Sequence, residues 1–166
     1  YGVSLLNDCK YGHSALDGVM TLTLIKSGIE PNPTADQEEH TFTYALYPHA
    51  EGWRQANTVQ EAMKLNQPLL SEDGGHAGCQ NSFVWVDKSN VIIETVKMAE
   101  DDDGIIVRLY ESENAKTKAH IFFGEKISSV ESCNCLEEIK QTIETDGEGF
   151  EITVKPYEIQ TYRVRF

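Results

Sequence analysis

The sequence predicts an all-β protein: an antiparallel β-sandwich, with the end of a larger sandwich on its N-terminal side and one short helix. Three observations carry this. Beyond residue 80, apolar and polar residues alternate with a period of two in seven short segments, the pattern of half-buried strands. Clusters such as Asp87-Lys88-Ser89-Asn90 and Asp101-Asp102-Asp103-Gly104 separate these segments at the short spacing of hairpin-connected sandwiches. Finally, the stretch from Asp36 to His49 contains a strand pattern from His40. There Phe42, Tyr44 and Leu46 share one face, and Thr41, Thr43, Ala45 and Tyr47 share the other.

In chain order, residues 1–9 alternate weakly around Val3, Leu5 and Leu6 and read as a strand ending at Asn7-Asp8. Lys10 to His13 form a bend in which Gly12 can supply a positive φ. Asp17-Gly18 is a hairpin signal, followed by a strand over 19–26 with Met20, Leu22 and Leu24 on one face. Residues 27–39 hold Gly28, Pro31, Pro33 and several acids. They read as a long loop, of the kind that is functional or packed on a partner surface. The strand from His40 must end at Pro48 or lie at a sheet edge, because proline brings no N–H to a ladder. Its half-buried rings require sheets on either side to receive them. Thr58 and Glu61 have the spacing of a capping box, and Val59, Ala62 and Met63 share a helical face. A helix of about two turns is therefore expected before Pro68. Residues 71–80 are glycine-rich and mark a linker between a domain over 1–70 and a second over 81–166.

In the second domain, strands are expected over 83–86, 91–97, 105–110, 119–123, 127–133, 150–155 and 159–166. If the hairpin at 101–104 registers as its turn suggests, Glu94 sits across from Arg108, a surface pair contributing at most about 1 kcal/mol. Residues 136–143 read weakly as one helical turn.

The 14 basic and 27 acidic residues give a net charge of −13. That balance repels phosphate backbones and anionic lipid, which argues against nucleic acid and membrane partners. No run of about 18 apolar residues is present to span a bilayer. Cys9, Cys79, Cys133 and Cys135 match no paired zinc-knuckle spacing and are read as free thiols. No Asn stands in a glycosylation sequon, Asn32-Pro33-Thr34 being excluded by its proline. A soluble, cytoplasmic protein is the expectation. Because the chain opens on Tyr1-Gly2-Val3, already strand-like and without an initiator Met, it is also expected to be a piece of something longer.

Tests for chemistry return little. His40 and His49 fall on opposite faces of an ideal strand and cannot chelate one metal without a bulge. His13, His76 and His120 lack any metal-binding context. In an EF-hand register Asp101 to Gly104 would put Ala99 and Tyr110 where carboxylates are needed, so a turn is the reading. No nucleophile elbow surrounds a serine or cysteine. Tyr44, Tyr47, Trp53 and Trp85 serve either as core residues or as stacking surfaces for sugar rings. No catalytic residue and no metal ligand is expected.

Two long stretches nevertheless carry a resemblance. They are Tyr1-Gly2-Val3-Ser4-Leu5-Leu6-Asn7-Asp8-Cys9-Lys10-Tyr11-Gly12 and residues 35–49, from Ala35 through Tyr44-Ala45-Leu46-Tyr47-Pro48-His49. Together with 91–97, 105–111 and Pro156-Tyr157-Glu158-Ile159, they resemble the C-terminal part of the α-mannosidases of glycoside hydrolase family 38, in their bacterial and cytosolic branch. The resemblance implies a parent with an N-terminal α/β catalytic domain, a helical bundle and terminal β-sandwiches. It implies a retaining hydrolysis of α-mannosides with an aspartate nucleophile and a zinc ion, both held outside these residues. On this view the chain alone is inactive, needs no cofactor of its own, and has as partners the parent's catalytic and helical domains. Mannoside is met only through the parent, and self-association into a homo-oligomer is left open.

The same resemblance makes 1–70 the end of the large central sandwich, beside the sugar pocket. Asn7, Asp8, Lys10 and Tyr11 at a strand end, and Asp36 with His40 at the end of the long loop, are the candidate pocket-lining residues. The alternative is that they tie two strands and a loop together by hydrogen bonds. A rival to the whole reading is a free-standing carbohydrate-binding or interaction sandwich without hydrolase activity.

Overall fold

The computed structural model describes residues 1–71, 73 and 82–166. The chain forms two compact units, Tyr1–Glu72 and Asp73–Phe166. Most of the expected linker at 71–80 lies outside the described residues, as do Cys79 and His76.

In the N-terminal unit, β1 (Gly2–Asn7) pairs antiparallel with β4 (Tyr44–His49). A separate hairpin joins β2 (His13–Leu16) to β3 (Val19–Leu22). Its turn residues Asp17 and Gly18 have φ of 51° and 77°, the two left-handed positions that an Asp-Gly hairpin supplies. β3 stops at Leu22, short of the expected residue 26, although Thr23 N–H still donates to Gly12 O at 2.8 Å. β4 begins at Tyr44 and includes Pro48 opposite Val3, as an edge strand tolerates.

Helix α1 (Thr58–Asn66) forms where expected, but the capping box does not. Asn57 is the N-cap, in a left-handed conformation with no side-chain cap bond. The Thr58 hydroxyl is instead 2.8 Å from Ser4 Oγ on β1, and Glu61 pairs with Lys64 at 2.6 Å. A tertiary contact has replaced the local one.

The N-terminal unit has almost no interior. Leu6 is its one buried apolar residue among those described. Two rings of this segment, Phe42 and Tyr47, are half-buried, but Tyr44 and Leu46 are 58% and 65% exposed, so within this unit the sheets expected on either side do not cover them. Tyr44 and Leu46, with Leu5, Met20, Leu22 and Leu24, line an open apolar groove of about 420 Å³. Burying one large side chain contributes about 1.5–3 kcal/mol, while fixing each residue's backbone costs roughly 1–2 kcal/mol. The unit cannot hold its fold by what it buries alone. Hydrogen exchange followed by mass spectrometry is therefore expected to find β1 and β4 amides far less protected than those of the C-terminal unit. Equal protection would contradict this.

The C-terminal unit is an antiparallel sandwich of two sheets. One sheet has β10 (Ile139–Ile143), β9 (Ser129–Cys133), β12 (Ile159–Arg165), β7 (Ile105–Glu111) and β6 (Val91–Met98) in that order. The other has β11 (Gly149–Val154), β8 (Thr117–Phe123) and β5 (Val84–Val86). Alternate residues of both sheets meet in a core that includes Val107, Leu109, Ile121, Val130, Phe150, Val154 and Val164. The all-β antiparallel sandwich with one helix is thus the observed class.

Two local expectations fail here. Residues 136–143 do not make a helical turn. Asn134 Oδ1 accepts the N–H groups of Leu136 and Glu138 in a tight turn, and β10 then pairs with β9. The β-branched Ile139, Thr142 and Ile143 suit a strand. Nor do Glu94 and Arg108 pair, because the β6–β7 register shifts between Ile93 and Thr95 and puts Thr95 opposite Arg108. Arg108 donates instead to Thr161 Oγ1 and Cys135 O. The Asp101 to Gly104 segment is a turn, as expected, and two of its three acids, Asp101 and Asp103, are clamped by arginines. Arg163 reaches Asp101 at 2.7 Å, and Arg165 reaches Asp103 at 2.8 Å and Glu131 at 2.7 Å.

Candidate functional site

The candidate polar residues gather in two groups. At the end of β1, Asn7 Oδ1 accepts the Lys10 N–H at 2.5 Å and closes the bend. Asp8 Oδ2 accepts the Thr43 N–H at 2.8 Å, while Asp8 N–H donates to Thr43 O at 3.2 Å. This pair of bonds extends the β1–β4 ladder by a side chain. The Cys9 thiol and the Thr43 N–H hold the Asp8 carboxyl below its ordinary value, and Asp8 in turn pushes the Cys9 thiol up. The Lys10 ammonium lies 4.5 Å from the Phe42 ring centroid, a cation–π contact. Tyr11 is exposed.

The second group lies on the long loop. Asp36, at φ 56°, accepts from Ser27 Oγ at 2.5 Å, and its carbonyl accepts from His40 Nε2 at 3.0 Å. Asn7, Asp8 and Lys10 thus come together through Phe42 and Thr43, and Asp36 and His40 meet each other. These contacts brace the chain; Lys10 is half-buried over Phe42, and Tyr11 and His40 are left exposed.

Sequence reasoning missed two histidines. His13 Nδ1 donates to Tyr11 O at 2.9 Å, which leaves Nε2 to accept from Asn7 Nδ2 at 3.2 Å. His49 Nδ1 donates to Glu51 O at 3.2 Å, so Nε2 accepts the Ser4 hydroxyl at 3.0 Å, and Ser4 accepts from Thr58. A serine beside an imidazole is half of a nucleophile pair, but here the hydroxyl sits between His49 and Thr58 and ties β1, β4 and α1. The Asn7–His13 spacing was within reach of a local reading. The Ser4–His49–Thr58 tie was not, since only the strand register brings those residues together.

Among the described residues no three His, Cys, Asp or Glu side chains converge on one point. Zinc requires three or four such ligands, so the described residues do not fit the zinc ion that the resemblance implies. Cys9, Cys133 and Cys135 are free thiols.

Comparison with known proteins says to which class these two β-rich units belong. Residues 1–34 match the family model "Glycosyl hydrolases family 38 C-terminal domain", and residues 90–162 match "Glycosyl hydrolases family 38 C-terminal beta sandwich domain". The chain belongs to glycoside hydrolase family 38, as part of its C-terminal region. Its relatives include Alpha-mannosidase G of Dictyostelium discoideum, 34% identical over 171 residues that cover 98% of this chain and 16% of that protein. Human Alpha-mannosidase 2C1 is 34% identical over 142 residues, covering 82% of this chain and 14% of that protein. An Alpha-mannosidase of Saccharomyces cerevisiae is 31% identical over 190 residues, covering 99% and 17%. The chain spans about a sixth of the length of the curated relatives it matches.

Proposed function

We propose that this chain is the C-terminal, non-catalytic part of a retaining, zinc-dependent α-mannosidase that removes terminal α-mannosyl residues. Residues 1–70 are the end of its large central sandwich, 71–80 a linker, and 81–166 the terminal sandwich. The observation that carries this reading is the N-terminal unit with one buried apolar side chain among its described residues and an open apolar groove, since a sheet so exposed needs further polypeptide to cover it. Its partners are the catalytic and helical domains of the parent, which bring the zinc and the mannoside. The net charge of −13 disfavours nucleic acid and membranes, and a cytoplasmic location agrees with the free thiols. The reading frame upstream of Tyr1 is the direct test: it is expected to continue into a catalytic domain of the same family, and a start codon immediately before Tyr1 would overturn the reading. An aryl α-mannoside assay of the chain alone, with and without added zinc, is expected to stay at the buffer rate.

Asn7, Asp8, Lys10, Tyr11, Asp36 and His40 are proposed to stand at the entrance of the parent's sugar pocket. Lys10→Ala or His40→Ala in the longer enzyme is expected to raise KM or lower kcat at unchanged melting temperature. A fall in melting temperature with unchanged kinetics would leave these residues as braces only.

A further inference from the structure

The outer face of the three-stranded sheet carries aromatic rings that the core does not use. Ala119, Ile121 and Phe123 of β8 are buried, so the strand's alternation turns His120 and Phe122 outward. Trp85 on β5 lies opposite Phe122, and the two rings stack with centroids 5.4 Å apart and 10° between planes. His120 continues the row, its ring centroid 4.3 Å from that of Phe122. On the other neighbouring strand the residue opposite Phe122 is Gly149, where a Cβ would come within 2.6 Å of His120 Nε2. That glycine lets the imidazole lie across β11. Trp85 remains 42% exposed.

Each end of the ring row meets a hollow with polar walls. Beside Trp85 and Phe122 is one of about 190 Å³, edged by Glu125, Lys126 and Glu148. Beside His120 is one of about 500 Å³, lined by Thr142, Glu144, Thr145, Asp146 and Glu151. Its wall is braced by hydrogen bonds: Asp146 Oδ1 accepts the N–H groups of Glu148 and Gly149 at 2.9 and 2.7 Å, and Thr145 Oγ1 donates to Gly149 O at 2.6 Å. Asp146 Oδ2 is 3.7 Å from His120 Nε2, a buried nitrogen without a hydrogen-bond partner.

The chemistry narrows the ligand. An anion is repelled by the carboxylates of both hollows. A purely apolar ligand would leave that rim unpaired. A metal ion lacks a converging set of ligands among the described residues. A neutral sugar meets both demands, because its C–H face stacks on an aromatic ring while its hydroxyls donate to carboxylates and threonine oxygens. We propose that this face is a non-hydrolytic binding site for a neutral pyranoside chain, with Trp85 as the stacking residue and the hollows as flanking hydroxyl subsites. The proposal stands on this chain alone and does not depend on the parent's activity.

The sequence has two tryptophans, so a Trp53→Phe background leaves Trp85 as the sole indole reporter. Titration of the whole chain with methyl α-mannoside, methyl α-glucoside and a linear mannotriose, by calorimetry and fluorescence, is expected to give saturable millimolar binding that shifts the Trp85 emission. Trp85→Ala should weaken binding about tenfold with an unchanged circular dichroism spectrum. If that variant does not fold, Lys126→Ala and Glu148→Gln on the exposed rim are expected to weaken binding severalfold. Absence of a saturable response to all three sugars overturns the proposal. So does emission that responds to protein concentration and not to sugar, which would make the face a contact between copies of the chain.

Discussion

Phe150→Ala is expected to remove about 3–5 kcal/mol of stability from the C-terminal sandwich. Phe150 is 1% exposed and lies in β11, facing the five-stranded sheet through the core. Its ring centroid is 4.9 Å from that of Tyr162 on β12 and 6.2 Å from that of Phe123 on β8. Truncation therefore opens a void where the two sheets meet, and neighbours held by ladder bonds on both sides can close it only in part. A domain of this size has about 5–15 kcal/mol in total, so the variant would keep little margin. Urea unfolding followed by circular dichroism measures the loss, and a midpoint shift worth less than about 1 kcal/mol would show that Phe150 does not bridge the sheets. Phe150→Leu, which refills most of the volume, is expected to lose much less.

Glu111→Ala is expected to be the most damaging polar change, at about 3 kcal/mol near neutral pH. Glu111 is 1% exposed at the end of β7. Its carboxylate accepts Asn90 Nδ2 at 2.9 Å, Glu113 N–H at 2.7 Å and Tyr157 N–H at 3.0 Å. One side chain thus fastens three connections, including the turn in which Tyr157 adopts a φ of 55°. Burial by itself would raise this carboxyl, but the Tyr157 N–H, the Asn90 amide and the Glu113 N–H outweigh it and hold it below the ordinary value. A carboxyl depressed in the folded state contributes stability above its unfolded value and loses it as pH falls through the folded one. The advantage of the native chain over Glu111→Gln should therefore be full near pH 7 and shrink toward pH 3. An advantage independent of pH over that window would mean that the charge at Glu111 plays no part.

The strands of the C-terminal unit were legible because each buries one face, and burial of one face writes a period of two into the residues. β10 was obscured by the charges around its start, Glu137 and Glu138 in the preceding turn and Lys140 on the exposed strand itself, which together mimic a helical surface. The Glu94–Arg108 pairing failed for a subtler reason. A one-residue bulge moves every later partner, and nothing in the side chains of 93–95 announces it. In the N-terminal unit, the candidate residues could be named from their place at a strand end and a loop end. Their work could not, because Asp8 meets Thr43 and Lys10 meets Phe42 only through the β1–β4 register. The open groove was invisible for the opposite reason: Tyr44 and Leu46 look like core residues, and within these residues they have no core to enter.

The irregular pairing of β6 also bears on behaviour at high concentration. β6 and β10 are the margins of the five-stranded sheet, and a margin with free backbone groups invites another molecule to add a strand. On β6 the shift after Ile93 twists that margin, and Glu94 and Lys97 place opposite charges along it, so an incoming copy finds neither a flat template nor a neutral one. The defect that broke the simple hairpin register thus makes this flank a poor template for an added strand.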